Sequence, residues 1–293
     1  MKKQIIKTAA LMMIAASLIT ILPGCAAKKE AWGNLKNGMI MKYELPGDKD
    51  LRYHNTFSFD QGMEIRGQQI NVKANGNQTY MMKPLSSNNG TLSYSVTLED
   101  MESVIQTPRG EMKADVAGII GKTFQLDISP MGKELDYSGS EALIYSYGGG
   151  QSKSLADDMQ AFFPDLADHP VKTGDTWESK DVITEKSSSG QMVLDITSLN
   201  TFEKLETFNG YECMKINIVF TGTMKGSSQE NGTDLFTEGD LSGTGTWYFA
   251  YKEGIFVHQR IEGVGNTTTK VKGPEEMTLP ATRKYAMESS LMQ

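Results

Sequence analysis

The chain has 293 residues, 39% of them hydrophobic and 22% charged, with 36 acidic against 29 basic side chains and a net charge of −7. That length suits one large domain or two smaller ones. The acidic balance, with no basic arm or patch, excludes nucleic acid as a partner and disfavours broad adhesion to anionic headgroups.

Lys2, Lys3 and Lys7 precede a run, Thr8 to Leu22, that is apolar apart from Ser17 and Thr20. A basic start, a short apolar run and small residues at its end are the layout of an export signal. The run is shorter than the roughly 20 residues of a spanning helix, and Pro23-Gly24 breaks it, which weighs against a short transmembrane anchor. Leu22-Pro23-Gly24-Cys25 resembles the lipobox of bacterial lipoproteins. That resemblance covers the signal region alone. It implies diacylation of the Cys25 thiol, removal of residues 1–24 and acylation of the new amino terminus. Pro23 departs from the small or β-branched residue commoner at that place, which implies slower cleavage. Two or more acyl chains hold a protein stably on a bilayer where one does not. Ala26 stands where an Asp would imply inner-membrane retention, so in a cell with two membranes the chain resembles the outer-membrane-sorted kind.

Cleavage removes three lysines, leaving 26 basic against 36 acidic residues and a net charge of −10. Residues 25–38 then form the acylated cysteine and a short polar tether in which Lys28 and Lys29 are a weak electrostatic attachment. The only other cysteine is Cys213, which acylation of Cys25 leaves without an intrachain partner. A body of this size is stable without a disulfide.

Residues 39–150 read as an N-terminal β lobe. Met39 to Leu45 alternates weakly, Pro46-Gly47-Asp48 turns, and Leu51 to Phe59 is a strand. A parity switch at Gly67 predicts a bulge or bend, and Asn75-Gly76 predicts a hairpin. After Asn89-Gly90, the alternation of Leu92, Tyr94, Val96 and Leu98 with polar residues marks a half-buried strand. Ser103 to Thr107 returns before a turn at Pro108-Arg109-Gly110. Thr123 to Ser129 pairs with Lys133 to Tyr137 across Pro130-Met131-Gly132, and Glu141 to Tyr147 reads as one or two helical turns.

Gly148-Gly149-Gly150 divides the chain, and residues 151–293 read as a helix plus a C-terminal β lobe. Ser154 caps a helix to Phe163 with Asp157 and Asp158 in its first turn and Leu155, Met159, Phe162 and Phe163 as its apolar stripe; Pro164 stops it. Strands follow around Met192 to Ile196, Phe202 to Phe208 and, after Asn209-Gly210, Tyr211 to Phe220. Gly222 to Gly232 reads as a mobile loop. Thr246 to Tyr251 and Ile255 to Ile261 form a hairpin, and the tail from Gly273 ends as a strand or a loose peptide.

Asn89-Gly90 and Asn209-Gly210 lie 120 residues apart, Gly132 and Gly254 lie 122 apart, and Phe124 and Trp247 lie 123 apart. Near-constant offsets suggest two related lobes, although β proteins reuse turn signals in any case. The fold expected is mainly β: two lobes of curved antiparallel sheet, half-barrel-like, with one short helix between them. Val171 to Trp177 (VKTGDTW), Gly243 to Phe249 (GTGTWYF) and Gly254 resemble an uncharacterised family of β-rich bacterial envelope lipoproteins over the last 130 residues or so. That family implies no activity and no catalytic residues. More distantly, a lipid-anchored antiparallel sheet with a helix resembles the half-barrel lipoprotein carriers that shelter acyl chains, an analogy of fold alone.

His54, His169 and His258 are isolated and Cys213 has no CxxC mate, so no metal site is expected, and no cofactor. Asp165, Asp168 and His169 read as a turn rather than a catalytic pair. Gly118 to Thr123 imitates a phosphate-binding loop, but Val116 stands where that motif has glycine. No G-x-S-x-G elbow occurs. Cys213 reads as a passive, partly covered thiol. The remaining resource is apolar: Phe124, Trp177, Trp247, Phe249 and Phe256, the candidate ligand-binding residues, with Tyr248, Tyr251 and 15 methionines after cleavage. Met-rich walls adapt to irregular ligands, and ordinary core is the competing reading for most of these residues. The expectation is a non-catalytic, exported envelope protein, anchored to the membrane by acyl chains on Cys25 (in the outer membrane if the cell is Gram-negative), that binds an apolar small molecule in a sheet groove. A structural partner of another envelope protein is the alternative, and a hydrolase without a linear motif the third reading.

Overall fold

The computed structural model describes residues 32–293 except 66, 149–150, 231 and 274–275. The signal segment, Cys25, the first half of the tether and part of the Gly148–Gly150 break lie outside the described residues.

The strands are β1 Gly33–Asn34, β2 Gly38–Met39, β3 Leu51–Ile65, β4 Gln68–Asn88, β5 Thr91–Thr107, β6 Gly110–Asp115, β7 Thr123–Ile128, β8 Glu134–Asp136, β9 Ile144–Tyr147, β10 Gln151–Ser154, β11 Thr176–Ser187, β12 Gly190–Phe208, β13 Tyr211–Glu230, β14 Thr233–Ala250, β15 Ile255–Lys272 and β16 Met277–Leu291, with one short helix, α1, at Ala156–Met159. Apart from the β1–β2 pair, these strands form a single antiparallel sheet in the order β10-β9-β6-β5-β4-β3-β16-β15-β14-β13-β12-β11, with β7 also on β5 and β8 on β7. The mainly β expectation holds. The halves are not separate in pairing, because β16 lies on β3 from Ala281↔Met63 to Leu291↔Tyr53 and joins them into one ladder. Both Asn-Gly pairs are tight turns with positive φ at Asn89 (51°), Gly90 (81°), Asn209 (48°) and Gly210 (82°). They join β4 to β5 and β12 to β13, so the 120-residue offset reflects a recurring hairpin order. A long meander produces such an order without separate lobes.

Several strands are far longer than the usual 3–10 residues: β4 has 21 and β13 has 20. This length corrects two expectations. Asn75-Gly76 is not a hairpin; it lies inside β4 opposite Ser58 and Phe57, and the chain reverses at Gly67 instead. Gly76 is required because a Cβ there would sit 2.7 Å from the Phe57 ring and 2.4 Å from the Glu102 carbonyl. The stretch that begins at Gly222 is likewise not a loop. There β13 continues, paired with β12 as far as Ser228 and with β14 as far as Glu230.

The packed core fills one end of the curled sheet. Tyr53, Tyr80, Met82, Tyr94, Val96, Phe202, Met214, Ile216, Trp247, Phe249 and Phe256 are buried there. Two non-strand segments close this base. Residues 39–45 run extended rather than as a full strand, held by Met39 and Val171 in both directions, by Tyr43 N–H to the Pro130 carbonyl (2.8 Å) and by Glu44 N–H to the Gly254 carbonyl (2.9 Å). The second is 155–171. The helix expected over Ser154–Phe163 is only four residues long. It stops because Gln160 turns extended and uses its side chain elsewhere, and Ala161 takes a left-handed φ of 57°. Phe162 and Phe163 then enter the base as a wedge. Glu141 to Tyr147, expected as helical turns, is instead a turn leading into β9, and the one 3-10 turn nearby precedes it at Ser138–Ser140.

The sheet curls until its edges approach, but side chains rather than a backbone ladder link them. On edge strand β11, the Thr184 N–H donates to Gln160 Oε1 (2.8 Å) and the Thr184 carbonyl accepts from Gln160 Nε2 (3.0 Å). Lys133 Nζ donates to the Lys180 carbonyl at 2.8 Å, and Lys153 of β10 pairs with Glu185 at 3.5 Å. An open edge invites further strands; here the Gln160 amide occupies the place of one.

Candidate functional site

The register fixes which side chains share the face that carries the base core. Above the base, one row across the sheet reads Ala74, Phe59, Tyr285, Gly263, Gly243, Phe220 and Ser198. The next reads Val72, Gln61, Arg283, Gly265, Leu241, Gly222 and Ile196, and the one beyond it Ile70, Met63, Ala281, Thr267, Gly239, Met224 and Leu194. This inner face is predominantly apolar, and its residues are mostly half-buried or buried while those between them are mostly exposed. The opposite face is polar: Asp195, Thr223, Asp240, Asn266 and Thr282 form one of its rows. A β-barrel that spans a membrane has the reverse polarity, apolar outside and polar within. The outer face therefore suits water.

Glycines let the inner face stay thin. A Cβ on Gly243 would lie 2.4 Å from the Phe220 ring, one on Gly263 2.4 Å from the Tyr285 hydroxyl and one on Gly265 2.8 Å from the Met224 methyl. Large side chains thus lie flat across the neighbouring strand. Phe220, Met224 and Leu241 make a small cluster with Met192, Leu194, Ile196, Ile218, Ile261 and Tyr285, all from β12 to β16. Phe57, Phe59, Met63, Ile70 and Val72 of β3 and β4 belong to neither this cluster nor the base core and are half-buried.

All five aromatic candidates lie in the base. Trp247, Phe249 and Phe256 are fully buried, Phe124 and Trp177 nearly so. The two indoles meet edge to face at 6.0 Å, with Trp247 Nε1 donating to Asn200 Oδ1 (3.2 Å) and Trp177 Nε1 to the Asp165 carbonyl (3.1 Å). They pack the base, and the half-buried apolar residues of the inner face are others. Only the register of β4, which the Asn75-Gly76 signal obscured, reveals those. Cys213 is completely buried rather than partly covered, and burial pushes its thiol up to about 12. Asp168 and His169 touch (2.8 Å) on the surface, while Asp165 turns away to Lys133. No group of three metal-ligating side chains occurs among the described residues, and no helix among them is long and apolar enough to cross a membrane, which says nothing of strands.

A hollow of about 560 Å³ lies on the polar face, lined by Asp195, Thr197, Thr223, Asp240, Ser242 and Asn266 among others. It has no aromatic wall and no buried charge.

Three carboxyls at the base and seam are displaced strongly toward protonation, and burial raises Asp157 beside them as well. Burial raises Glu134, which accepts the Phe163 N–H at 2.9 Å, to about 7. Burial likewise raises Asp158 and Asp165 to about 6, against the pull of Lys153 and Gln78 on the first and of Lys133 on the second. A carboxyl whose folded value is raised holds its proton longer in the native state, so between about pH 4 and 7 stability falls as pH rises. His258, lowered chiefly by burial, acts in the other direction below its ordinary value. The three carboxyls outnumber it. The melting temperature should be higher at pH 5.5 than at pH 8, by roughly 3–6 °C, and Glu134→Gln should flatten the profile. Thermal denaturation across that range checks both, and a melting temperature that climbs with pH would refute the assignment.

No family model matches the chain, and no curated protein does. Among solved structures it is similar to Pseudomonas aeruginosa OccK5 (OpdH), at 8% identity over 84% of this chain and 99% of that one with a TM-score of 0.25. The beta domain of the Bordetella autotransporter BrkA matches at 11% identity over 84% and 100%, with a TM-score of 0.27. Pseudomonas aeruginosa OpdL matches at 7% identity over 84% and 99%, with a TM-score of 0.23. These neighbours are outer-membrane β-proteins. Scores this low carry no argument beyond the antiparallel β character already described.

Proposed function

We propose that the chain is a non-catalytic lipoprotein of the cell envelope, anchored through acyl chains on Cys25, that holds an apolar ligand against the inner face of its curled sheet. One observation supports this reading most. Phe57, Phe59, Met63, Ile70 and Val72 face inward, half-buried and outside both packed clusters, while the opposite face is mostly polar. Soluble proteins seldom leave such apolar surface without a use. The alternative of an assembly partner that adds a strand to a free edge loses support at β11, whose Thr184 backbone is already taken by Gln160. The test is native mass spectrometry of protein extracted from its own membrane in a mild non-ionic detergent. Discrete added masses, lost on organic extraction and reduced by Phe59→Asp, are expected. A ligand-free mass, with no uptake of an added lipid, would overturn the reading.

A further inference from the structure

The inner face is apolar except for a few polar groups that their neighbours do not satisfy. Among the described residues, five buried polar side-chain atoms have no hydrogen-bond partner: Asn55 Oδ1, Thr267 Oγ1, Arg283 Nε, Tyr285 Oη and Ser289 Oγ. Native proteins leave few such atoms, and each costs about 1–3 kcal/mol. All five lie on the inner face, on the adjacent strands β3, β15 and β16. Tyr285, Arg283 and Thr267 sit in three successive rows, Tyr285 opposite the half-buried Phe59 and Arg283 opposite Gln61, one row from both Phe59 and Met63.

Arg283 stands out by its charge. It forms no salt bridge among the described residues, and its only cationic contact is with the Phe59 ring, at 5.8 Å. The other interior-facing charges on the opposing edge are engaged: Glu185 with Lys153 at 3.5 Å and Asp181 with Lys133 at 2.8 Å. Glu185 also draws the Arg283 proton affinity up against the lowering by burial, but its carboxylate is shared with Lys153. Arginine keeps its charge in either case. An unpaired guanidinium inside an apolar concavity is an expensive arrangement for a structure to maintain by itself.

We infer that Arg283 anchors the acidic head of an acyl-chain ligand, its guanidinium forking onto a carboxylate or phosphate while the chain lies along Phe59, Met63 and Ile70. The inference rests on the apolar-ligand reading above and narrows it to anionic amphiphiles. Arg presents a planar pair of donors that matches both head chemistries. The Tyr285 and Thr267 hydroxyls in the flanking rows supply further donors. Electroneutral amphiphiles leave the guanidinium unpaired and gain only the burial of their chain.

The acylated protein, in non-ionic detergent, would be titrated by native mass spectrometry with oleate, oleyl phosphate and oleyl alcohol. Oleate or oleyl phosphate should bind at least about tenfold more tightly than the alcohol, one charge-assisted pair being worth roughly 1.5–3 kcal/mol. Which of the two binds better separates a free fatty acid from a phosphate-headed lipid. Arg283→Gln should abolish the preference without altering the affinity for the alcohol, and Arg283→Lys should retain part of it. Because no ion pair is broken, Arg283→Gln should melt no lower than the parent chain in the absence of ligand; Thr267→Val, which leaves the charge in place, gives a milder second variant with reduced preference. Equal binding of all three ligands, unchanged by Arg283→Gln, would overturn the anchoring role while leaving the apolar groove intact. Binding of none would overturn both.

Discussion

Replacing Phe163 with alanine should destabilise the chain by about 3–5 kcal/mol. Phe163 is 4% exposed and sits at the centre of an aromatic wedge. Its ring lies 5.4 Å from Tyr43, 6.3 Å from Tyr53, 6.4 Å from Tyr94 and 5.1 Å from Phe162. These rings come from segments far apart in the chain, so one side chain ties the 39–45 strap, β3 and β5 to the residues after α1. Tyr43 reinforces the same place by donating its hydroxyl to the Pro164 carbonyl (3.0 Å), and Tyr53 by donating to the Phe256 carbonyl (2.7 Å). Removing the ring leaves a cavity that rigid β-strands on either side cannot close. With total stabilities of roughly 5–15 kcal/mol for a protein of this kind, that loss takes a large fraction. The melting temperature should fall by about 6–20 °C. Phe236→Ala is the control: that ring is 42% exposed on the polar face, with the Lys272 ammonium 5.1 Å from its centroid. Its change should stay within about 0.5 kcal/mol. Equal destabilisation by the two substitutions would show that the base is not where this fold is held.

The sequence disclosed the hairpins that tight turns mark and concealed what long-range register decides. Asn89-Gly90 and Asn209-Gly210 are legible because a two-residue turn with both φ positive is a local requirement, met locally by those residues. Asn75-Gly76 has the same letters and the opposite meaning: glycine is there to clear Phe57 on the next strand, a neighbour that the local sequence does not show. Gly222, Gly226, Gly239, Gly243, Gly263 and Gly265 repeat that lesson. Composition makes the stretch of the first two look like a loop, yet each of the six faces inward under, or beside, a large side chain or the backbone of the adjacent strand. The expected helix is too long for a related reason. Its apolar stripe is genuine, since Leu155, Met159 and Phe163 are all buried, but Gln160 serves the edge of β11 and breaks the run. The aromatic candidates are legible as apolar and not as base or groove, because that distinction depends on how far each lies along strands up to 21 residues long. Arg283 carries no signal in sequence at all. Its neighbours Thr282 and Lys284 are polar, and only pairing with Gly265 and Gln61 places it on the inner face.

Replacing Cys25 with serine should remove the lipid anchor of the protein. The prediction depends on the thiol alone: a serine hydroxyl at the lipobox position is not expected to receive the diacylglyceryl group, and without it the chain keeps its signal segment or is cut elsewhere. No described part of the body offers a substitute anchor. Its outer face is mostly polar and charged with scattered exposed apolar residues, no described helix is long and apolar enough to span a bilayer, and a net charge of −10 after removal of residues 1–24 repels anionic headgroups. Each buried methylene contributes about 0.8 kcal/mol, so two or three acyl chains outweigh any contact the body makes with the surface. Fractionation after a high-salt wash checks the expectation. The parent chain should remain in the membrane pellet with an intact mass that includes lipid and begins at Cys25, whereas Cys25→Ser should lack that lipid mass. A variant with a clean signal peptide and a serine at the same place should be wholly soluble, yet it should keep the base, the pH profile and the ligand preference of the parent, because the groove and Arg283 lie on strands that the anchor does not touch. A parent chain whose Cys25 is unmodified and still joined to Gly24 would overturn the anchor, and with it the envelope address on which the source of an acyl ligand depends.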